Sequence, residues 1–428
     1  MRPVNLEKRR RAIEEEMRRL AEFLAPFRPI WAYEVLNFYP DCVPHFKEEW
    51  FETLSSLKEE QELALENGHA PIDWPDSDLR NLFLKMSELE GLPHLKVTEP
   101  EAYPSWALNK VSGKKQHEIK KIVSLLPTLG LKAGDHVVDI GGGKGHLPRI
   151  LCLYHGLNGT TLDTNKEFQE LGLKRYQKYP KPEGAGELEF INHTFAGEEN
   201  AETEEFVFKR AKASFGLHTC GPLALHHLNR ATSHQALLNF GCCYQKLDPE
   251  KEARLSRYAN DNDLYQFSQH ALTLASRGHT TISLKDYRIK KIVKLRRSAL
   301  HFYLIDQNYE SEFVTVGSAH PRDYQGPFSH YAHLKLKKLG LAHSSEEELK
   351  AKLDDFYQQE ELQEKLTWIY QANMIRWRFG RLLEKLLLLD RTLSLIEKGL
   401  DAYCFEIFEA KQSPRNIGII VNPASPLE

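Results

Sequence analysis

Residues Asp135 to Asn165 read DHVVDIGGGKGHLPRILCLYHGLNGTTLDTN, and this stretch decides the fold. His136 to Ile140 is a run of apolar and β-branched residues with a carboxylate, Asp139, near its end. Gly141, Gly142, Gly143 and Gly145 follow at once, so a strand runs into a loop nearly free of side chains. From His146 to Tyr154 apolar residues return at helical spacing. Beyond Gly156 and Gly159 a second strand, Thr160 to Leu162, ends at Asp163. Strand, glycine loop, helix and a strand closing on an acid make one nucleotide-binding βαβ half.

Spacing separates the ligands such a half can take. The dinucleotide fingerprint G-x-G-x-x-G needs glycine at position 146, where His146 stands, and a P-loop needs Ser or Thr after its lysine, whereas Gly145 follows Lys144. The pattern present is D-x-G-x-G-x-G, from Asp139 through Gly141 and Gly143 to Gly145. It resembles the first motif of class I S-adenosylmethionine-dependent methyltransferases. Glycine lets main-chain amides approach a ligand, and an acid at the next strand's tip accepts hydrogen bonds from two ribose hydroxyls. The expected cofactor is S-adenosylmethionine, held by Asp139, Gly141, Gly142, Gly143, Gly145 and Asp163.

Length and composition bound the rest. A chain of 428 residues buries a substantial core and suggests two or three structural units. A net charge of -3 provides no global field for nucleic acid or acidic surfaces, so such a role must rest on a local patch. No run of eighteen apolar residues exists, and the charged amino terminus lacks the apolar core of a signal peptide, so no membrane partner is expected. Six scattered cysteines do not make a disulfide framework, which points to a cytoplasmic setting.

Read in order, 1–96 is a helical amino-terminal cap and 97–111 a linker. Within the cap, Asn5 to Leu24 carries oppositely charged i,i+4 pairs suited to a solvated helix. Trp31, Trp50, Phe83 and Met86, at helical spacing, belong to its core. Residues 112–244 form the Rossmann-like core. There the third strand is Leu188 to His193, the fourth Ala213 to Leu217 and the fifth Gln235 to Phe240, with a helix from about Glu198 to Lys212 between the third and fourth. Residues 245–399 are a mainly helical insertion on the substrate side, in which Ser344 or Ser345 caps a helix opening with three glutamates. Residues 400–422 supply two strands as a hairpin, and 423–428 are a tail. The expected fold class is α/β, a Rossmann-like class I methyltransferase sheet of seven strands whose last two form a hairpin, with helical additions.

Two strand ends carry candidate chemistry, His218-Thr-Cys-Gly221 and Gly241-Cys-Cys-Tyr244. In the class I fold the fourth strand's tip faces the methyl sulfonium, so His218, Cys220, Cys242, Cys243 and Tyr244 are the catalytic candidates, with His218 suited to general base. The cysteines either pack as small apolar residues, line the acceptor pocket, or act as a nucleophile or zinc ligands. H-x-C plus a vicinal pair is poor metal spacing, so no metal is expected. The helix before the first strand commonly closes over the cofactor in this class, which adds Lys115, His117 and Glu118 as candidates. Leu217, and Asn192 or His193 at the third strand's tip, complete the cofactor set.

Lys114-Lys-x-His-Glu118, DIGGGKGHL, Gly216-Leu-His-Thr-Cys-Gly221, Gly241-Cys-Cys-Tyr244 and Ser413-Pro-Arg-Asn416 together resemble the methyltransferase-like protein 25 family. They are distantly similar to the eukaryotic tRNA 2′-O-methyltransferases with matching strand ends. The resemblance spans about residues 100 to 422. Many relatives carry Asp after the His-Thr-Cys-Gly run, where this chain has Pro222, so no role for that acid carries over. The Asn/Asp-Pro-Pro-Tyr/Phe motif of N6-adenine enzymes is absent. The resemblance implies an RNA acceptor, the alternatives being a protein or small-molecule acceptor or a non-catalytic cofactor- or RNA-binding protein. One stretch of the insertion suits RNA: Lys285 to Arg297 sets seven basic side chains against one acid, with Tyr287 inside. Lys290, Lys291, Arg296 and Arg297 are the expected RNA contacts; the alternative is an amphipathic helix with these residues on its wet side.

Overall fold

The computed structural model describes residues 2–97, 102–104, 106–195, 201–278, 281–309, 319–342, 345–425 and 427. They divide into two compact units, one from Met1–Pro26, Leu89–Thr280 and Gly380–Glu428, the other from Phe27–Glu88 and Thr281–Phe379.

The first unit is built on seven strands: β1 His136–Ile140, β2 Asn158–Asp163, β3 Leu188–Asn192, β4 Ala213–Cys220, β5 Ala236–Cys242, β6 Ala402–Glu406 and β7 Ile417–Val421. Their order is β3-β2-β1-β4-β5-β7-β6. The first five run parallel, and β7 is antiparallel to both β5 and β6. This is the class I methyltransferase sheet expected from the sequence, with the carboxyl-terminal hairpin completing it. Strand succession reverses between β1 and β4, which opens the crevice at the carboxyl ends of the parallel strands.

β1 carries apolar residues at Val137, Val138 and Ile140, pointing to both sides of the sheet, because it is covered on both faces. Val137 packs with Leu147, Ile150, Phe215 and Phe240 on one side, while Val138 and Ile140 meet Leu162 and Val207 on the other. Phe240 of β5 stacks on Phe408 at 4.4 Å, fastening the hairpin to the parallel strands.

The helix Arg2–Leu24 is not merely solvated. Ile13, Met17, Leu20 and Leu24 form a buried stripe, and the helix packs on the helix Gly380–Glu397. Arg9 lies over the Tyr403 ring at 3.5 Å and pairs with Asp401. Lys385 donates to Glu16 at 2.6 Å and to the carbonyl oxygens of Leu89 and Gly91. The many charges between the apolar positions hide this stripe in the sequence. The units therefore cut across the 1–96 and 245–399 boundaries: 2–24, the segment after β5 and 380–397 fold with the sheet, where Met17, Leu272 and Leu387 are fully buried. At Gly380 a side chain would meet the Leu274 carbonyl oxygen at 2.8 Å, so only glycine permits that approach.

The second unit is helical. Trp368 stacks on Phe51 at 5.0 Å, and Tyr324 on Tyr331 at 4.5 Å, within a core that includes Leu300, Leu304, Leu353 and Leu366. Ser345 caps the helix Glu346–Tyr357 through the Glu348 amide; Ser344, like 198–200 of the expected helix before β4, lies outside the described residues. Among the described residues no helix is long and apolar enough to cross a membrane.

Candidate functional site

Gly141, Gly143 and Gly145 have φ of 66°, 57° and 64°, the left-handed region that glycine enters without strain. At Gly142 a Cβ would collide with Thr161 Oγ1 and the Asp139 carboxylate. The loop is drawn to the tip of β2: the Gly143 amide donates to Asp163 Oδ2 at 2.8 Å, and Gln169 Nε2 donates to the Gly143 oxygen at 2.6 Å. Asp163 Oδ1 accepts from the Asn165 amide at 2.8 Å, and Asn165 caps the next helix at the Phe168 amide. Asn192 donates to the main-chain oxygens of Asp163 and Thr164, 2.9 Å each, and so braces the tip of β2 from β3. His193 turns inward to Glu204 at 2.9 Å and is buried there. Asp139 is also buried; burial pushes its carboxyl up to about 7, with Lys115 opposing and Asp163 assisting.

The helix Gly113–Val123, capped by Ser112 at the Lys115 amide, brings Glu118 to the end of β4. Glu118 is fully buried. Its Oε1 accepts from His218 Nε2 at 2.8 Å and from Ser413 Oγ at 2.8 Å, and Lys114 and Lys115 lie at 3.7 and 3.6 Å. Burial alone would raise its pKa; the hydrogen bond and charge of His218, then Lys115 and Ser413, outweigh that and hold it at about 2. His218 itself has φ 66° and sits where the β4–β5 register slips between Leu217 and Thr219. That bulge turns its side chain out of the strand's alternation. His117, one residue before Glu118, points instead to Glu409, whose amide donates to its Nε2 at 3.2 Å.

The remaining strand-end candidates separate by exposure. Tyr244 is enclosed, its hydroxyl 3.1 Å from Glu384 Oε1 with Arg391 over its ring, so it does not face the crevice. Leu217 is 7% exposed and belongs to the core beside Phe215 and Phe240. Cys220, Cys242 and Cys243 meet, with Sγ distances of 3.3 Å from Cys220 to Cys242 and 3.4 Å to Cys243. Burial pushes the Cys220 and Cys242 thiols up, which disfavours a free thiolate nucleophile.

The basic stretch lies on the helix Leu284–Asp306 of the second unit. Lys290 pairs with Glu66, Lys291 Nζ lies 2.7 Å from Glu62 Oε2, and Arg288 binds Glu59 through two nitrogens. Arg296 donates to the carbonyl oxygens of Tyr324 and Gly326. Lys290, Lys291 and Arg296 are therefore engaged within their own unit, and Arg297 lies near Lys335, whose charge is disfavoured first by burial, then by Lys338 and Arg297. The sequence does not show these pairings because the carboxylates come from a segment more than two hundred residues earlier.

The sequence placed the glycine loop and Asp163 together and offered Glu118 as a cofactor-side candidate, but it did not pair Glu118 with His218 and assigned no role to Ser413. Both stand within motifs that carried the family resemblance, which was the available signal.

Residues 114–250 match a family model described as a methyltransferase domain. The probable methyltransferase-like protein 25 of Mus musculus is 28% identical over an alignment of 221 residues that covers 48% of this chain and 36% of that protein, so the match spans about a third of that protein's length. Among solved structures, an S-adenosyl-L-homocysteine complex of a SAM-dependent methyltransferase from Thiobacillus denitrificans is 17% identical, covering 60% of this chain and 95% of that one, with a TM-score of 0.23. The cyclopropane synthase MmaA2 from Mycobacterium tuberculosis is 12% identical, covering 84% and 97%, with a TM-score of 0.24. At these TM-scores the two structures add nothing to the strand order of the chain itself. Sheet order, glycine loop and family match agree: the first unit carries a class I methyltransferase domain, and about half of the chain is similar to methyltransferase-like protein 25.

Proposed function

We propose that the chain is an S-adenosylmethionine-dependent methyltransferase acting on RNA. The observation that carries the cofactor reading is the Gly143 amide on Asp163, which joins glycine loop and acid into one cradle. The residues fit the nucleoside. Each Asp163 oxygen accepts one main-chain N–H and keeps a further lone pair for a ribose hydroxyl. Two buried oxygens at this edge, Thr161 Oγ1 and Glu118 Oε2, have no hydrogen-bond partner among the described residues. Asp163 would hold the ribose, the side-chain-poor loop from Gly141 to Gly145 would lie under the amino-acid end, and Lys115 would balance charge beside Asp139. When bound, the cofactor supplies a methyl group on a positively charged sulfur.

Glu118, held ionised, only accepts hydrogen bonds, so the His218 proton sits on Nε2 and Nδ1 is the ring's basic nitrogen. His218 takes the proton an acceptor hydroxyl must lose, and Glu118 stabilises the imidazolium that results. Ser413 keeps Glu118 in place. An RNA hydroxyl as acceptor is supported by the likeness of the His218 and Cys242-Cys243 strand ends to tRNA 2′-O-methyltransferases. It draws less support from the helix Leu284–Asp306, whose basic groups are largely engaged. All six cysteines are unpaired, in keeping with the cytoplasm as the proposed location.

Transfer of tritium from labelled cofactor into total RNA, protein and small-molecule fractions tests this reading. Label should enter RNA and depend on His218. Label confined to protein or small molecules would remove RNA, and tight cofactor binding with no transfer to any fraction would make the chain a binding protein.

A further inference from the structure

Cys220 ends β4 and Cys242 ends β5, and the two residues stand opposite each other in the parallel ladder. Cys243 follows with φ 55°, and His218 precedes with φ 66°. Left-handed backbone is costly for side-chain-bearing residues and persists where the surroundings impose it, commonly at binding sites. The loops that hold these conformations press together, since a Cβ at Gly221 would lie 2.6 Å from Lys246 Cβ. The consequence is convergence: the three sulfur atoms lie within 4.8 Å of one another, with the two shortest separations 3.3 and 3.4 Å.

We propose that Cys220, Cys242 and Cys243 form a three-thiolate site for a thiophilic metal ion, zinc(II) being the probe. Three sulfurs each about 2.3 Å from a tetrahedral ion stand about 3.8 Å apart, between the 3.3 Å closest approach here and the 4.8 Å within which all three lie, so binding needs only side-chain adjustment. Linear spacing argued against a metal, but it is no guide when the ligands come from two paired strands. Thiolates prefer zinc and other soft ions to magnesium or calcium. Lys246 packs against Gly221 beside Cys220, which puts a cation near the three sulfurs around a divalent ion. Cys220 and Cys243 are half-buried, which leaves the fourth position to a solvent donor. The site goes beyond the methyl-transfer reading and stands without it.

The test uses the full chain, purified reduced and dialysed against zinc or cobalt(II), with bound metal measured by elemental mass spectrometry. About one tightly held zinc ion per chain is expected, and cobalt should give thiolate-to-metal charge-transfer bands with the intense visible bands of tetrahedral coordination. Cys220→Ser and Cys243→Ser should lose the metal and the bands, while Cys152→Ser, whose thiol lies elsewhere beside Glu187, should keep both. Wild-type protein that stays folded yet retains neither ion would overturn the proposal without recourse to variants. So would full retention by Cys220→Ser/Cys243→Ser together.

Discussion

The carboxyl edge of the sheet and the helix Leu284–Asp306 both gather charged side chains, yet they dispose of them in opposite ways. On the helix, Lys290, Lys291 and Arg288 each meet a carboxylate of the segment Glu59–Glu66, so a run that looks like a phosphate track is part of its unit's own packing. At the sheet edge, Glu118 gathers His218, Ser413 and two lysines about one buried carboxylate, and Asp163 is set by two main-chain amides with lone pairs to spare. Charge count alone does not distinguish these situations. What distinguishes them is whether a group's partners use up its bonding capacity or aim it.

Three perturbations would break or sharpen that contrast. The largest effect belongs to His218→Ala. If His218 is the base, methyl transfer falls about 100- to 10,000-fold with cofactor affinity nearly unchanged. Equal losses in rate and affinity would make it a binding residue instead. Next is Glu118→Gln. A folded-state pKa of about 2 against an ordinary 4.5 means Glu118 stabilises the fold above the unfolded value and loses that contribution as pH falls toward 2. Urea unfolding at pH 3 and pH 7 should show a smaller drop for Glu118→Gln than for wild type, and identical drops would remove the ionised-partner account of His218. The smallest effect is expected on the helix. Reversing Lys290 and Lys291 to Glu should cost about 1 kcal/mol per pair in denaturation and leave salt-dependent RNA retention as it was. Weaker RNA retention with unchanged stability would return the stretch to RNA contact.

Much of the fold was legible because its signals are local. The glycine spacing from Gly141 to Gly145, the acid at Asp163 and the alternation of strand and helix through Phe240 each lie within a short window, and the carboxyl-terminal hairpin followed from two apolar runs. The Glu118–His218 pair was not legible, since the two residues are separated by 100 positions and meet only when the helix before β1 crosses to β4. Tyr244 looked like a site residue beside two cysteines, but the turn begun by Cys243 in its left-handed conformation carries it into the core beneath Arg391. The same turn brings the Cys243 sulfur back to Cys220. The helix Arg2–Leu24 failed for another reason: its apolar stripe is narrow and its surface dense with charge, so local pairing outweighed the periodicity that buries Met17 and Leu20.

The most direct trial of the account is calorimetric titration of S-adenosylmethionine into the wild-type chain and into Asp163→Ala. Saturable binding to wild type is expected, with a loss of about tenfold or more in the variant, as for hydrogen bonds to a charged group worth about 1.5–3 kcal/mol. Equal affinity in both proteins, or no binding by folded wild type, would contradict it.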